Sequence, residues 1–598
     1  MRFANVASQS QSAMFAAIGR SLDVFFDYFD LVTATRFAET CKQAMLDIAE
    51  VHFEPSLSEL LADPNQHVRD LKKFRKLFPN AHSAVLSATA KFESDDFQSL
   101  KRLRHLAING NVTITDVAFD HLGGTIETLN VQRCRHITDR AFANLHRTLR
   151  CVDITLCSKI TNVAFESFRG TIRTLYMTGC RQITDEAFAC LRGTIHTLRM
   201  DYCRQITDHA FEHLRGTIED LTIRGCVQLT DEAFRYLQGT IRVLYIDECR
   251  LITDNAFQYL RGTIRELSID GCTQITDQAF RHLRGTIRML SLERCTQITD
   301  AGLEYLCGAV DATRETVDAT VDSTVETTQA TVETTVDATV EDLYISGCTQ
   351  ITDRGLCFIG GVVFLCMDDC SQITDVGLQH LRRIRTLYMR NCPNVTGAGF
   401  APTLEDVDVR MCERISDTAF RNLPNLHTIN VSGCPLITDN AFLGLRKLHT
   451  VDIGNCPLIT DDVFKHFPRV RRLWMRKTRI TDAAFSHLSA AQHATEHAAE
   501  TNLYLLVIDD CPMITGQAFE HIRRTIRRLE MVNCTQISNE ALQHLRGTLI
   551  ALNIRNCTQI SPGSLSSFRK LTCLDIEGCV QMNKMSLQEM MPRCSIVD

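Results

Sequence analysis

A cysteine recurs every 23 residues along most of this chain, and no other sequence feature restricts the possible folds as much. Cys134, Cys157, Cys180, Cys203, Cys226, Cys249, Cys272 and Cys295 follow at strict steps. Cys348, Cys370, Cys392, Cys412, Cys434, Cys456, Cys511, Cys534, Cys557 and Cys579 continue the series at looser ones. Eighteen of the 26 cysteines lie on this comb, so it is the repeat and not cysteine abundance that needs explaining. Asn111 takes the position one step before Cys134 and Thr478 takes it between Cys456 and Cys511, giving twenty units.

Each unit reads L-x-I-x-x-C-x-x-I-T-D-x-A-F-x-x-L-R-G-T-I, as from Leu221 to Ile241. Leu221 and Ile223 alternate with Thr222 and Arg224, the period of a short strand with one buried face. Thr230 is placed to cap a helix, Asp231 and Glu232 suit its positive first turn, and Phe234 with Leu237 has the spacing of a buried helical stripe. Gly239 suits the left-handed residue that ends it. One strand and one helix per 23 residues cannot bury a core alone, so stacked units must share one.

This unit resembles the leucine-rich repeat, in its cysteine-containing subtype. The resemblance implies an α/β solenoid, a curved horseshoe with parallel strands on the concave side and helices on the convex side. The comb position follows the strand, where the repeat template takes Asn or Cys, and a small thiol there can stack and donate to the backbone of the adjoining turn. Metal binding would need paired ligands such as C-x-x-C, and the comb offers no such pair, so no metal and no cofactor are expected.

Two breaks interrupt the rhythm. At about 308–341 the acidic, Thr-rich "DATRETVDATVDSTVETTQATVETTVDATVEDL" adds a surface excursion with valines at a near-helical spacing. At about 489–502 an alanine-rich insertion extends a helix and holds His493, Glu496 and His497, an H-x-x-E-H pattern that reads as a solvated helix face in the absence of a metalloprotease fold.

The opening residues are different. Residues 1–18 form a tail whose apolar patch, Met14 to Ile18, is short and followed by Arg20, a poor signal peptide. Residues 19–53 cluster apolar side chains for a small helical module, and 54–100 carry a connection and an irregular opening repeat ahead of the repeats at 101–598. Within the module Val24, Phe25, Phe26, Tyr28, Phe29 and Asp30, then Phe37, Ala38, Thr40, Cys41 and Lys42, resemble an F-box, although Ser21 and Leu22 replace its usual Leu-Pro opening. An F-box followed by cysteine-containing leucine-rich repeats is the architecture of substrate receptors in Skp–cullin–F-box ubiquitin ligases. That resemblance implies a Skp-type adaptor docked on Val24, Phe25, Phe26, Phe29 and Phe37, a cullin beyond it, and a protein substrate on the repeats. The alternative is a repeat scaffold without ligase recruitment.

The substrate surface is expected on the concave strand positions six, four and two places before the comb. Four places before it stand Tyr176, Tyr245, Tyr344, Tyr388 and Trp474; two places before it stand Asp201, Asp247, Asp270, Glu293 and Asp368. Trp474, the single tryptophan, lies between Arg472 and Arg476, the residue types that dominate binding hot spots. The alternative is arginines stacked on the indole as a surface brace. The acidic row reads either as an attractor of a basic partner or as a solvated strand edge.

A net charge of −7 disfavours a general nucleic-acid binder, and no apolar run approaches the roughly 18 residues of a membrane span. No P-loop, G-x-S-x-G elbow or G-x-G-x-x-G turn occurs, so an enzyme is not expected. The reading is a monomeric, thiol-bearing protein of the cytoplasm, with the nucleus as the other compartment.

Overall fold

The computed structural model describes residues 68–77, 80–307, 340–493, 503–523, 525–591 and 594–597. The tail, the F-box-like module with Val24, Phe25, Phe26, Phe29 and Phe37, most of the 308–341 insertion, and Glu496 and His497 lie outside the described residues. The chain forms two units, Met1–Ile275 and Thr276–Asp598.

In the first unit nine strands of three residues, from Ser83–Val85 to Glu266–Ser268, pair in parallel, each with that of the next coil. Register is kept by the repeat: Leu198 faces Leu221, which faces Leu244. The second unit builds thirteen such strands, from Met289–Ser291 to Ser595–Val597. The twenty comb units correspond to the strands from His105–Ala107 to Cys573–Asp575. One strand is added at each end, Ser83–Val85 and Ser595–Val597, because a coil without a comb residue still pairs its backbone.

The middle residue of each strand and the one two places on turn inward, as the alternation requires. Leu221, Ile223, Phe234, Leu237 and Ile241 are all fully buried, each side chain contributing about 1.5–3 kcal/mol of burial. The helices differ from expectation. From Ser94–Leu100 on, the coils of the first unit return through 3₁₀ helices of four to seven residues, such as Asp231–Tyr236, while the second unit mixes these with α-helices, short ones such as Asp353–Leu356 and Asn539–Gln543 and the longer Asp300–Cys307 and Ala484–His493. Thr230 caps its turn by accepting the Glu232 N–H at 3.3 Å, and Gly239 takes φ +78°.

The aspartate of the I-T-D run does more than favour a helix start. Asp231 accepts the Thr253 N–H at 2.7 Å and the Thr253 hydroxyl at 2.6 Å, reaching from its own turn to the next coil. Asp139 binds Thr161, Asp185 binds Thr207, Asp277 binds Thr299 and Asp439 binds Thr460 in the same way. Asn162, in the aspartate's place, keeps the ladder by accepting the Thr184 N–H and donating to its hydroxyl.

The comb forms a second ladder. The Cys226 thiol donates to the Met200 carbonyl of the preceding coil at 3.2 Å, Cys249 to Ile223 at 3.1 Å, and Cys434 to Val409 at 3.0 Å. Every cysteine of the described residues is a free thiol. Asn111 fills the same place with more bonds, donating to the Ser87 and Ala90 carbonyls. Thr478 instead donates to Met475 of its own coil, where the turn to the I-T-D run is one residue shorter.

Both insertions leave the ladders intact. Cys348 donates to Leu292 and Asp300 binds Thr352 across the first; Cys511 donates to Met475 and Asp482 binds Thr515 across the second.

Asp231→Ala leaves the Thr253 N–H and hydroxyl without their acceptor, a loss of about 1–3 kcal/mol. Amide hydrogen exchange at Thr253 should accelerate accordingly, while Asp231→Asn, which copies Asn162, retains most of the protection.

Burial raises the comb thiols from the usual 9.0, Cys203 to about 11 and Cys272 and Cys434 to about 12. A raised folded value means the native state holds its proton longer than the unfolded chain. The stabilisation is therefore whole below pH 9 and is lost as pH rises toward 11–12, at about 1.4 kcal/mol per thiol per pH unit. The melting temperature followed by circular dichroism should fall steeply above pH 9; a flat profile from about pH 8.5 to 10.5 would contradict the assignment.

Candidate functional site

The side chains six, four and two places before the comb stand on the sheet face opposite the core, because the residues between them turn inward. In the first unit this face carries two arginine–tyrosine pairs. Arg199 lies over the Tyr176 ring at 5.2 Å from its centroid, and its guanidinium is 3.7 Å from the Asp220 carboxylate of the following coil. Arg224 lies over Tyr245 at 4.9 Å and pairs with Asp247 at 2.7 Å. Tyr245 donates its hydroxyl to Glu266 at 3.1 Å, and burial with that carboxylate pushes the phenol up to about 12. The phenol is thus held neutral, a donor and a stacking plane.

Three members of the acidic row, Asp201, Asp247 and Asp368, are engaged within the fold. Asp247 is only 8% exposed, and it accepts from the Ser268 hydroxyl and the Asp270 N–H. Asp201 accepts the Arg224 N–H at 2.9 Å, and Asp368 accepts the Arg390 N–H at 2.7 Å. Burial raises the carboxyl pKa of both. These aspartates tie the turn of the next coil in place where that coil lacks its own acceptor. Asp408, Asn430 and Asp452, four places before the comb, do the same job within their own coils. Asp270 and Glu293 are half-buried on the same face.

In the second unit Tyr344 and Tyr388 are joined by a ring that a search four places before the comb misses. Phe364, six places before Cys370, meets Tyr344 at 4.9 Å and Tyr388 at 5.3 Å between centroids. Cys366 stands between the tyrosines in register, and its small side chain leaves the room that Phe364 fills. Reading both open positions of every strand, rather than one, would have found Phe364; Arg199 and Arg224 needed the knowledge of which coils adjoin.

Trp474 is half-buried on the Arg472–Trp474 strand, in register with Asp452 and Val507. Arg472 is exposed. Arg476 is drawn away to Asp509 at 3.0 Å and Glu530 at 3.6 Å, so the brace of arginines on the indole does not form. The indole is left as an open, partly apolar surface.

Among the described residues no group of three or more His, Cys, Asp or Glu side chains is placed to hold a metal ion, and no helix is long and apolar enough to cross a membrane. The His493 side chain and Glu500 lie outside the described residues.

The profile of the BspA type leucine rich repeat region matches residues 81–193, 158–287 and 366–492, more than half of the chain. The protein belongs to this leucine-rich-repeat family. No curated protein sequence matches it. Among solved structures it is similar to a TLR13–ssRNA13 complex at 15% identity, over 86% of this chain and 77% of that one, with a TM-score of 0.46. It is also similar to the internalin inlF of Listeria monocytogenes at 17% identity, over 58% and 89% of the two chains, TM-score 0.39. A third is the Rad7 and Elc1 complex of yeast, at 15% identity over 58% and 83%, TM-score 0.36.

Proposed function

We propose that this chain is a non-enzymatic protein-interaction scaffold that works through the open faces of its sheets, and that residues 19–53 make it a substrate receptor of a Skp–cullin ubiquitin ligase. The scaffold reading is carried by the division of labour within each coil. The repeated residues, Leu221, Ile223, Cys226 and Phe234 among them, are buried, while those that vary between coils stand on the open face and include the large rings of Tyr344, Phe364, Tyr388 and Trp474. A stacked repeat presents such residues as one extended recognition surface. The chemistry gathered there is that of recognition: arginines lie over rings, and carboxylates are tied to backbone N–H groups.

The ligase half rests on the F-box-like run from Val24 to Lys42, and is a resemblance of sequence. A receptor of this kind acts inside the cell, in the cytoplasm, where thiols such as those of the comb stay reduced.

Two measurements test the two halves separately. In the full chain, replacing Phe25 and Phe26 together by alanine should abolish co-purification with a Skp-type adaptor; an unchanged yield would remove the ligase reading and leave the scaffold. Trp474→Ala should weaken capture of the native partner by about 2 kcal/mol or more, the scale of a hot-spot ring, with the melting temperature preserved. Unchanged capture would take Trp474 out of the binding surface.

A further inference from the structure

Tyrosines occupy the same place of the coil in both units, but what lies on them differs. In the first unit the chain supplies its own cations: Arg199 covers Tyr176 and Arg224 covers Tyr245, each arginine also meeting a carboxylate of the following coil. In the second unit Tyr344, Phe364 and Tyr388 run ring to ring, and among the described residues no arginine or lysine lies over them. Arginines around this row are directed elsewhere, Arg385 to Glu405 at 3.4 Å among them. Arg390 reaches the Met411 sulfur at 3.9 Å, and Arg410 pairs with Asp408 at 2.9 Å.

A carboxylate also stands by this row, at a different place from those of the first unit, where Asp220 lies two coils after Tyr176 and Asp247 on the coil of Tyr245. Asp406 is registered beside Thr386, on the coil after Tyr388, and is the foremost charge acting on the Tyr388 phenol. Among the described residues no arginine or lysine pairs with it. Tyr388 is 38% exposed, so its ring is open to a ligand. His449 is a further titratable group that Asp406 acts on, and in the first unit a guanidinium serves ring and carboxylate together.

We propose that the Tyr344–Phe364–Tyr388 row binds an extended, arginine-bearing segment of the protein partner, one guanidinium lying over Tyr388 and pairing with Asp406. The inference deepens the scaffold reading and rests on it. Arginine is favoured over lysine because its planar fork stacks on a ring and bonds a carboxylate at the same time, which a point ammonium does not. Acidic segments are repelled by Asp406, and a purely apolar one leaves it without a cation partner.

The test uses the full-length protein and fluorescence anisotropy of a labelled, end-blocked peptide of alternating serine and arginine, with lysine and citrulline versions beside it. The arginine peptide should bind, and the neutral citrulline peptide should bind about tenfold more weakly or worse. Tyr388→Ala and Asp406→Asn should each weaken the arginine peptide by about three- to tenfold, and Tyr388→Phe, which keeps the ring, by less than about twofold. Tyr388→Ala also loses the ring contact with Phe364 and should lower the melting temperature slightly, whereas Asp406→Asn and Tyr388→Phe keep the packing and should leave it unchanged. Absence of binding, equal binding of the citrulline peptide, or affinity unaltered by Tyr388→Ala and Asp406→Asn would each overturn the proposal. A native partner still captured through Trp474, with no peptide bound, overturns the arginine assignment alone; face variants that alter no capture at all overturn the scaffold reading itself.

Discussion

Three-residue strands have too few hydrogen bonds and too little apolar surface to persist alone, so within each unit a coil is held by what its neighbour offers. Three ladders run between coils. The backbone ladder sets the register, the aspartate–threonine ladder locks the turn after it, and the thiol–carbonyl ladder satisfies a carbonyl inside the stack. The two side-chain ladders set repeated residues against an adjoining coil, Asp and Thr toward the next and Cys toward the preceding one, which is why these residues recur with the apolar ones. Loss of any one group leaves a buried or half-buried polar partner unmet, and that cost exceeds the modest net value of the bond itself.

Because the ladders consume the repeated residues, the open face is free to vary. It does not vary without limit. Part of its polar content is structural: Asp201, Asp247 and Asp368 hold the backbone of the next coil, and Arg476 is committed to Asp509 and Glu530. On the scaffold reading proposed above, the surface offered to a partner includes Trp474 and the row from Tyr344 to Tyr388. Rigid rings suit such a role, since ordering them on binding costs little entropy.

The sequence shows the coil plainly, because one pattern repeated in twenty units, most at a step of 22 or 23 residues, averages away local ambiguity. It shows the strand and its inward residues, the Thr230 cap and the Gly239 turn. It does not show that the turns of the first unit are 3₁₀, since Phe234 and Leu237 have a spacing that either helix can bury. Nor does it show the partner of Asp231, because a carboxylate at a helix start and a carboxylate reaching the next coil look the same in one dimension. The aromatic positions on the open face were legible residue by residue. Which of them carry an arginine was not, because Tyr176 and Arg199 lie 23 residues apart and meet only through the stacking.

The amino-acid sequence by itself determined the coil: where the chain turns inward, where it reverses, and which residues recur, since these follow from periods of two and twenty-three in polarity. Only the tertiary structure decided what each polar side chain does. That depends on distances of about 3 Å between residues of different coils, and periodicity carries no information about those until the register between coils is set.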